Sequence, residues 1–451
     1  MAKPQVVIRM GSHAEKEYLE KTIKFFDGLI LGANLVEATP GATASLLIKF
    51  GGKRLGVPFY LDPMTYAYGM YVDPDGRLRS DLDWIKSEQK TKKGIRRLFK
   101  RSYRNLAESL GGAFVDALAN GAAITPSDFT SRAKAAAFCK SVVDYQVERL
   151  ARVFQQDPEY KNFAAELPVP SAVFAPYFYI VPSDQEDWTR LNLRLAGLTA
   201  ELGSEIPVHA VVVADKESLE DADTMRSLAK ELPKTGVQGV WFWFSRFDEH
   251  RASASSLIAL RSLVRNISEA GLSVFTMHGG YFSLALSKSG LMGTSHGVGY
   301  GEQKDVMPVI GQSTPTVRYH LPGIHKRVGV AEVIRCFQPL GITTAQEFYD
   351  GVCNCTICKG VVNKDLDDFE AFGDMHYSTP KSKRLAQTPA AAKRCRFHFL
   401  LSRLRERDRI AAATPDEIVK QLGAARRKWG RFDWIEDSCA HLVEWESALA
   451  Y

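Results

Sequence analysis

The chain has 451 residues, of which 45% are hydrophobic and 24% are charged, and its formal net charge is +6. This balance predicts a globular fold with a sizeable core and excludes an intrinsically disordered protein. Seven cysteines are too few for a disulfide scaffold, and the strongest apolar stretch, "VQGVWFWF", is far shorter than the ~20 residues of a membrane span. We expect a cytoplasmic chain with reduced thiols and no membrane partner, whose mild positive charge permits a polyanionic partner.

Short apolar segments alternate with helical patterns over the first 300 residues. The segments predicted as strands are 5–10, 28–33, 57–62, 172–181, 207–215, 236–244, 272–279 and 291–300. Most are apolar on both faces, as in a covered parallel sheet, and helix patterns such as 218–232 and 253–271 lie between them. Eight such strands predict an α/β fold of the (β/α)8 barrel type, with a doubly wound open sheet as the alternative.

Two further regions are predicted outside the strand-and-helix alternation. Residues 63–170 are too long for an ordinary connection, so we expect a helical insertion after the third strand of a barrel domain that spans 1–345. Residues 346–451 are predicted to form a zinc-binding and C-terminal helical region that contains a charged helix at 396–412. The segment "RLRERDR" (403–409) neutralises its own charge, which is typical of a solvated helix.

A basic run within the predicted insertion is a candidate nucleic-acid contact. The segment "KTKKGIRRLFKRSYRNL" (90–106) contains no acidic residue. As a helix it would place several cations on one face, which suits a phosphate backbone, although a merely solvated face is the alternative. The candidate contacts are Lys93, Arg96, Arg97, Lys100, Arg101 and Arg104.

The segment "GVCNCTICKG" contains three of the seven cysteines within six residues, namely Cys353, Cys355 and Cys358. Zinc takes four tetrahedral thiolate or imidazole ligands, so this spacing predicts a zinc site rather than three free cysteines. A fourth protein ligand would close the site and make the zinc structural. The candidates for it are His376, His398 and Cys395, and we favour His398 because it begins an amphipathic helix.

The Cys-x-Cys-x-x-Cys motif, followed by a distal histidine in "FHFLLSRLRERDRI", resembles the tRNA-guanine transglycosylase family. A second stretch, "YLDPMTYAYG", is similar to the family segment in which an aromatic residue follows a strand-end aspartate. The resemblance implies a (β/α)8 barrel with a structural Zn²⁺ and a pentosyltransferase activity. Such an enzyme exchanges guanine in nucleic acid for a 7-deazaguanine base through a covalent glycosyl-aspartate. By the same resemblance Asp62 does proton work and Tyr66 stacks on the base.

The chain also departs from the family pattern. Pro63-Met64-Thr65 replaces the usual Ser-Gly-Gly, and the region of the family nucleophile contains Glu302 but no aspartate before Asp305. The chain therefore looks more like the divergent DNA-guanine transglycosylases, with DNA as partner and tRNA as the alternative. A non-catalytic nucleic-acid-binding paralogue and an unrelated zinc-stabilised DNA-binding protein are other hypotheses. Partner proteins or a homo-oligomer are compatible with the family.

Base exchange needs one carboxylate to trap an oxocarbenium-like centre and a second group to handle the proton of the departing base. Asp62 and Asp248 both follow strongly apolar strands. We assign Asp248 as nucleophile and Asp62 as general acid/base, with the reverse assignment open and Glu302 in reserve. The alternative for each is an N-cap or a surface carboxylate.

Five residues are candidates for contact with the substrate. Tyr66 and Tyr68 would share one face of an extended segment, where Tyr66 either stacks on an extruded base or packs in the barrel. The glycines of "HGVGYGE", Gly299 and Gly301, allow close backbone approach to a base or simply form a tight turn. His278 either contacts the substrate or is a structural histidine.

Overall fold

The computed structural model describes residues 3–52, 55–70, 85–91, 94–99, 101–120, 123–180, 182–306, 316–377, 385–434 and 439–450. The strands are β1 (Gln5–Met10), β2 (Gly28–Gly32), β3 (Phe59–Asp62), β4 (Ile85–Thr91), β5 (Gly94–Phe99), β6 (Val173–Phe174), β7 (Tyr179–Ile180), β8 (Val208–Asp215), β9 (Gly239–Ser245), β10 (Ser273–Thr276), β11 (Leu291–His296), β12 (Tyr319–Leu321), β13 (Lys326–Val328), β14 (Met375–Tyr377) and β15 (Leu385–Gln387).

The helices run between and after these strands. They are α1 (Lys16–Lys21), α2 (Ala33–Ala38), α3 (Pro40–Gly51), α4 (Ala67–Met70), α5 (Arg101–Leu110), α6 (Ala113–Asn120), α7 (Arg132–Gln156), α8 (Gln185–Ala200), α9 (Ala222–Glu231), α10 (Ala254–Glu269), α11 (Tyr281–Ala285), α12 (Val330–Arg335), α13 (Ala345–Gly351), α14 (Thr356–Val361), α15 (Pro389–Ala412), α16 (Pro415–Trp429) and α17 (Ala440–Ala450). Within the described residues, no helix has both the length and the apolar character needed to cross a bilayer.

The main sheet is parallel, in the order β3-β2-β1-β11-β10-β9-β8-β6, and β7 continues along β8 beyond β6. Its two ends approach each other, because the backbone N–H of Ser171, just before β6, donates to the carbonyl of Phe59 in β3 over 2.9 Å. The eight predicted strand segments therefore form a nearly closed parallel barrel rather than an open sheet. Only the fourth segment is split, into β6 and β7.

Aromatic side chains fill the barrel interior. Tyr60 of β3 meets Trp241 of β9 edge-on at 5.2 Å between ring centroids, although the two strands are not neighbours. Trp241 also stacks on Phe275 of β10 at 4.4 Å. Every residue of β8 and β9 is buried, which explains why these strands are apolar on both faces.

The chain between β3 and β6 contains helices, as predicted for residues 63–170. The longest, α7, contacts β6 and supports the barrel where the fourth strand is interrupted. Gln146 of α7 accepts a hydrogen bond from the backbone N–H of Phe174 over 2.7 Å and donates to the carbonyl of the same residue over 2.8 Å. This buried amide satisfies backbone groups of β6.

The basic run does not form the predicted helix. Gly94–Phe99 is strand β5, which pairs antiparallel with β4, so the prediction that Arg96 and Arg97 lie on a helix is wrong. The pairing register places Glu88 opposite Arg97 and Gln89 opposite Arg96. Local charge spacing could not reveal this, because the partner strand begins outside the run.

Two further candidate cations of the run, Arg101 and Arg104, belong to the next helix. Helix α5 begins at Arg101 and includes Arg104, which is exposed. Lys93 and Lys100 lie outside the described residues. The proposed division of the chain at residue 345 stays a prediction.

Candidate functional site

Four predicted metal ligands lie together. The ligand atoms of Cys353, Cys355, Cys358 and His398 are all within 4.8 Å of one another, and all four residues are buried. His398 Nδ1 lies 3.3 Å from the sulfur of Cys355 and 3.4 Å from that of Cys358. A tetrahedral zinc with ordinary bond lengths places a nitrogen and a sulfur ligand about 3.5 Å apart. The cluster is therefore compatible with zinc.

Hydrogen bonds around the cluster orient its histidine. Nε2 of His398 lies 2.7 Å from the carbonyl oxygen of His320, so this nitrogen carries the hydrogen and Nδ1 is free to bind a metal. Tyr319 stacks on the His398 ring at 4.2 Å, and its hydroxyl lies 3.2 Å from the sulfur of Cys358. These neighbours of the cluster come from strand β12, which no sequence motif had indicated.

The other two candidates for the fourth ligand lie elsewhere. His376 is an exposed residue of β14. Cys395 is buried, but its thiol lies 3.4 Å from the carbonyl oxygen of Phe372 and is not part of the cluster. The positions of His376 and Cys395 therefore agree with the preference for His398 as the fourth ligand.

The segment 403–409 is not a solvated helix face, and that prediction is wrong. Arg403 is fully buried, Glu406 is 1% exposed and Arg407 is 9% exposed. Arg403 donates to Glu406 over 2.7 Å, and its other terminal nitrogen donates to Glu302. The charges of this segment are neutralised by the barrel as well as by one another, so the helix can be buried.

Glu302 lies within this charged network. It is not among the described residues that line a cavity of about 330 Å³ beside Tyr66. Its carboxylate accepts from Arg403 and from Arg327, and Arg327 also donates to the carbonyl of Gly299. Burial raises the pKa of Glu302, but the two arginines outweigh it and bring the pKa to about 2. These contacts give Glu302 a clear role in holding the loop after β11.

A cavity of about 330 Å³ opens where β1, β2, β3, β10 and β11 end, and we call it the Tyr66 cavity. The carboxyl ends of parallel strands meet at one edge of a sheet, so residues distant in sequence converge there. Its lining includes Arg9, Glu15, Tyr66, His278, Gly299, Gly301 and Lys304. Four of the five predicted substrate-binding residues thus share one cavity.

Asp62 ends β3 behind the wall of this cavity. It is fully buried, and its two oxygens receive hydrogen bonds from Arg9 and from the Tyr177 hydroxyl, each over 2.5 Å, and from the Met64 N–H over 3.0 Å. Arg9 and Met64 line the cavity, whereas Asp62 is absent from the described lining. The carboxylate therefore holds the cavity wall in place.

Tyr66 and Tyr68 do not share one face of an extended segment. Tyr66 lies in a turn, stacks on Tyr177 at 5.6 Å and meets Trp243 edge-on at 5.2 Å. Tyr68 is in helix α4, where its hydroxyl donates to the Tyr103 carbonyl over 2.8 Å and its ring packs against Phe114. The prediction that Tyr68 shares a substrate-facing side with Tyr66 is wrong, because the chain turns into a helix between them.

Asp248 and Tyr66 are not brought together. Asp248 follows β9 and lines a different cavity of about 300 Å³, whose wall also includes Glu302 and Tyr300. The Asp248 carboxylate accepts from the backbone N–H of His250 over 3.0 Å. Although burial raises the pKa of Asp248, bonding and charge from His250 hold it below its ordinary value. Tyr300 lines both cavities, so the two are neighbours.

Sequence reasoning missed Glu15, the carboxylate that does line the Tyr66 cavity. It follows β1 in the segment "GSHAE", and its Oε2 accepts from the backbone N–H of Gly11 over 2.8 Å. Burial raises the pKa of Glu15. Its one available signal was its position just after the end of a buried strand, which it shares with many loop residues.

The chain matches no protein-family model and no curated protein in sequence.

Proposed function

We propose that the chain is a guanine transglycosylase that exchanges guanine in DNA for a 7-deazaguanine base at the Tyr66 cavity, with tRNA as the alternative substrate. The observation that carries this proposal is the lining of the cavity, where aromatic rings, three cations (Arg9, Lys304 and Arg396) and the carboxylate of Glu15 come together. Its volume of about 330 Å³ is at the small end for ligand pockets, which suits a single base rather than a dinucleotide cofactor.

The base would be taken out of its stack to enter this cavity, whose wall includes the aromatic rings of Tyr66, which is 2% exposed, and of Tyr300, which is partly exposed. Tyr66 is itself packed between Tyr177 and Trp243, so the ring is fixed before the base arrives. A preorganised aromatic wall lowers the entropic cost of binding.

We assign the covalent step to Glu15. One of its carboxylate oxygens forms a bond to C1′ of the sugar as the bond from C1′ to the guanine ring nitrogen breaks. The electron pair of that bond leaves with the guanine, whose negative charge Arg9 and Lys304 stabilise from the cavity wall. The departing guanine takes up a proton from solvent as it leaves. The incoming 7-deazaguanine later returns a proton to solvent as its ring nitrogen bonds to C1′ and the bond from C1′ to the Glu15 oxygen breaks.

In this scheme Asp62 positions Arg9 rather than exchanging protons with the base. The zinc is structural, because four protein ligands leave no position for a substrate. The barrel would be of the (β/α)8 type, with the chain between β3 and β6 as an insertion that reaches the nucleic acid.

The test is incubation of the protein with DNA or tRNA that contains labelled guanine, with and without a 7-deazaguanine. We expect release of label from DNA that depends on the added base, and a covalent adduct with DNA that Glu15→Gln abolishes. Asp248→Asn should retain the adduct. If Asp248→Asn abolishes it and Glu15→Gln does not, Asp248 is the nucleophile. No release from either nucleic acid would refute the enzyme.

A non-catalytic paralogue that binds an extruded base is the second candidate. One observation favours it: Asp62 has both oxygens occupied, and Asp248 and Glu302 line another cavity. Such a protein would bind DNA and a free base without releasing label.

A further inference from the structure

One acceptor atom beside the Tyr66 cavity has no hydrogen-bond partner among the described residues. It is Nε2 of His278, which is buried from solvent and belongs to a side chain that lines the cavity. Buried polar atoms of folded proteins are nearly always paired. An unpaired one at a cavity wall indicates a ligand that completes it.

The hydrogen-bonding state of Nε2 follows from the other ring nitrogen. Nδ1 of His278 lies 2.9 Å from the carbonyl oxygen of Gly301, and a carbonyl can only accept, so Nδ1 carries the hydrogen. Burial, together with the charges of Arg9 and Lys304, holds the pKa of His278 well below its ordinary value. The ring is neutral at physiological pH, and Nε2 presents a lone pair.

The surroundings of His278 fix the position of this acceptor. Its ring meets Trp243 edge-on at 5.1 Å. In the segment that follows, the Gly279 N–H donates to the Ser295 carbonyl over 3.1 Å, and the Gly280 N–H donates to Glu249 over 2.9 Å. The acceptor is therefore rigid before a ligand binds, which is the arrangement that gives specificity.

The cavity wall combines this neutral acceptor with the cationic donors Arg9 and Lys304. A ring carbonyl beside an N–H group complements such a wall. Guanine and 7-deazaguanine carry this pair, whereas adenine has no ring carbonyl.

We propose that Nε2 of His278 accepts a hydrogen bond from an N–H group of the bound base, and that it thereby selects guanine-type bases. This inference rests on the proposed function and deepens it. It makes His278 a specificity-determining residue, which a merely structural histidine would not be.

The test is calorimetric titration of the full chain with two bases that carry a methyl group in place of the sugar. The first, 9-methylguanine, has the carbonyl and the N–H donors, and the second, 1,9-dimethylhypoxanthine, keeps the carbonyl but has no N–H. We expect the wild type to prefer the first about tenfold or more, and His278→Phe to lose that preference. The matched control is His376→Phe, an exposed site in β14, which should keep it.

A measurement on the unmutated protein covers the case in which His278→Phe does not fold. In ¹⁵N-histidine spectra, adding 9-methylguanine should shift a hydrogen-free nitrogen of one neutral ring, and the dimethyl base should not. If the wild type binds 9-methylguanine and either no histidine nitrogen shifts or a folded His278→Phe keeps the preference, this inference is wrong while the proposed function stands. If the wild type binds neither base, both fail.

Discussion

Asp62 and Arg9 form an ion pair beside the Tyr66 cavity, with Asp62 fully buried and the Arg9 side chain 11% exposed. Removing one partner of such a pair leaves the other charge buried without compensation. We predict that Asp62→Asn lowers the free energy of unfolding by roughly 3–5 kcal/mol. Chemical denaturation measures this loss, and base titration should show weaker binding because Arg9 is no longer held at the wall.

The matched control removes a carboxylate from an exposed pair. Glu186 and Arg190 of helix α8 are 86% and 66% exposed, so Glu186→Gln should change stability little. An equal loss in both variants would contradict a special role for the buried pair.

Glu302 gives a prediction about pH. Its pKa in the folded protein is about 2, below the ordinary value of 4.5, so the stabilisation is present at neutral pH and is lost as the pH falls from 4.5 towards 2. This difference corresponds to roughly 3 kcal/mol. The free energies of unfolding of wild type and Glu302→Gln, measured with urea, should differ by an amount of that order at about pH 7. At about pH 3 the difference should be less than half as large. A difference that does not depend on pH would contradict the low pKa of Glu302.

At the scale of elements, the cluster of three cysteines and His398 links α14 and the turn before it to helix α15. We predict about one zinc per chain, and we expect His398→Ala to lose most of it and to lower the melting temperature by several degrees, because the binding free energy stabilises the fold. Metal analysis and thermal unfolding measure both effects. His376→Ala is the control, since His376 is exposed and outside the cluster. Full zinc content in His398→Ala would rule out this ligand set.

The strands and the metal ligands were predictable from sequence for a shared reason. Strands buried on both faces show apolar runs, and the cysteine spacing restricts which atoms can meet. The hairpin of β4 and β5 was not predictable, because a basic run reads the same whether its partner is solvent or another strand. Likewise Arg403 looked solvated, since its distant partner Glu302 cannot be recognised from local charge.

The candidate site was predicted in part. Tyr66, His278, Gly299 and Gly301 all line one cavity. Asp248 lines a different cavity. Its position after a strand was visible in the sequence, but that position does not reveal which strand ends share a cavity. Glu15 lies in a single 3₁₀ turn before α1 with no motif, so nothing local distinguished it.

At the scale of the whole molecule, a net charge of +6 permits a nucleic-acid partner, and the proposed function requires one, whose affinity should fall with salt. We predict that Arg96→Glu combined with Arg97→Glu, in β5, weakens DNA binding at least about tenfold and flattens its salt dependence. Titration of labelled DNA at several salt concentrations measures both. The control changes the net charge by the same amount: Arg190→Glu on helix α8 combined with Arg226→Glu on helix α9, both exposed, should leave the affinity and its salt dependence unchanged. Equal effects in the two double variants would indicate binding by overall charge alone.

Helix α15 contributes one residue to each of three sites within about two turns: the cavity wall, the cysteine–histidine cluster and the buried ion-pair network. Arg396 lines the Tyr66 cavity, His398 belongs to the metal cluster, and Arg403 donates to Glu302. A one-residue slip of this helix would rotate all three by about 100° at once. Protein purified from zinc-starved cells should therefore keep its α/β circular dichroism spectrum, and under the proposed function it should bind guanine-type bases poorly. The proposed activity should then be compared between preparations per mole of bound zinc rather than per mole of chain.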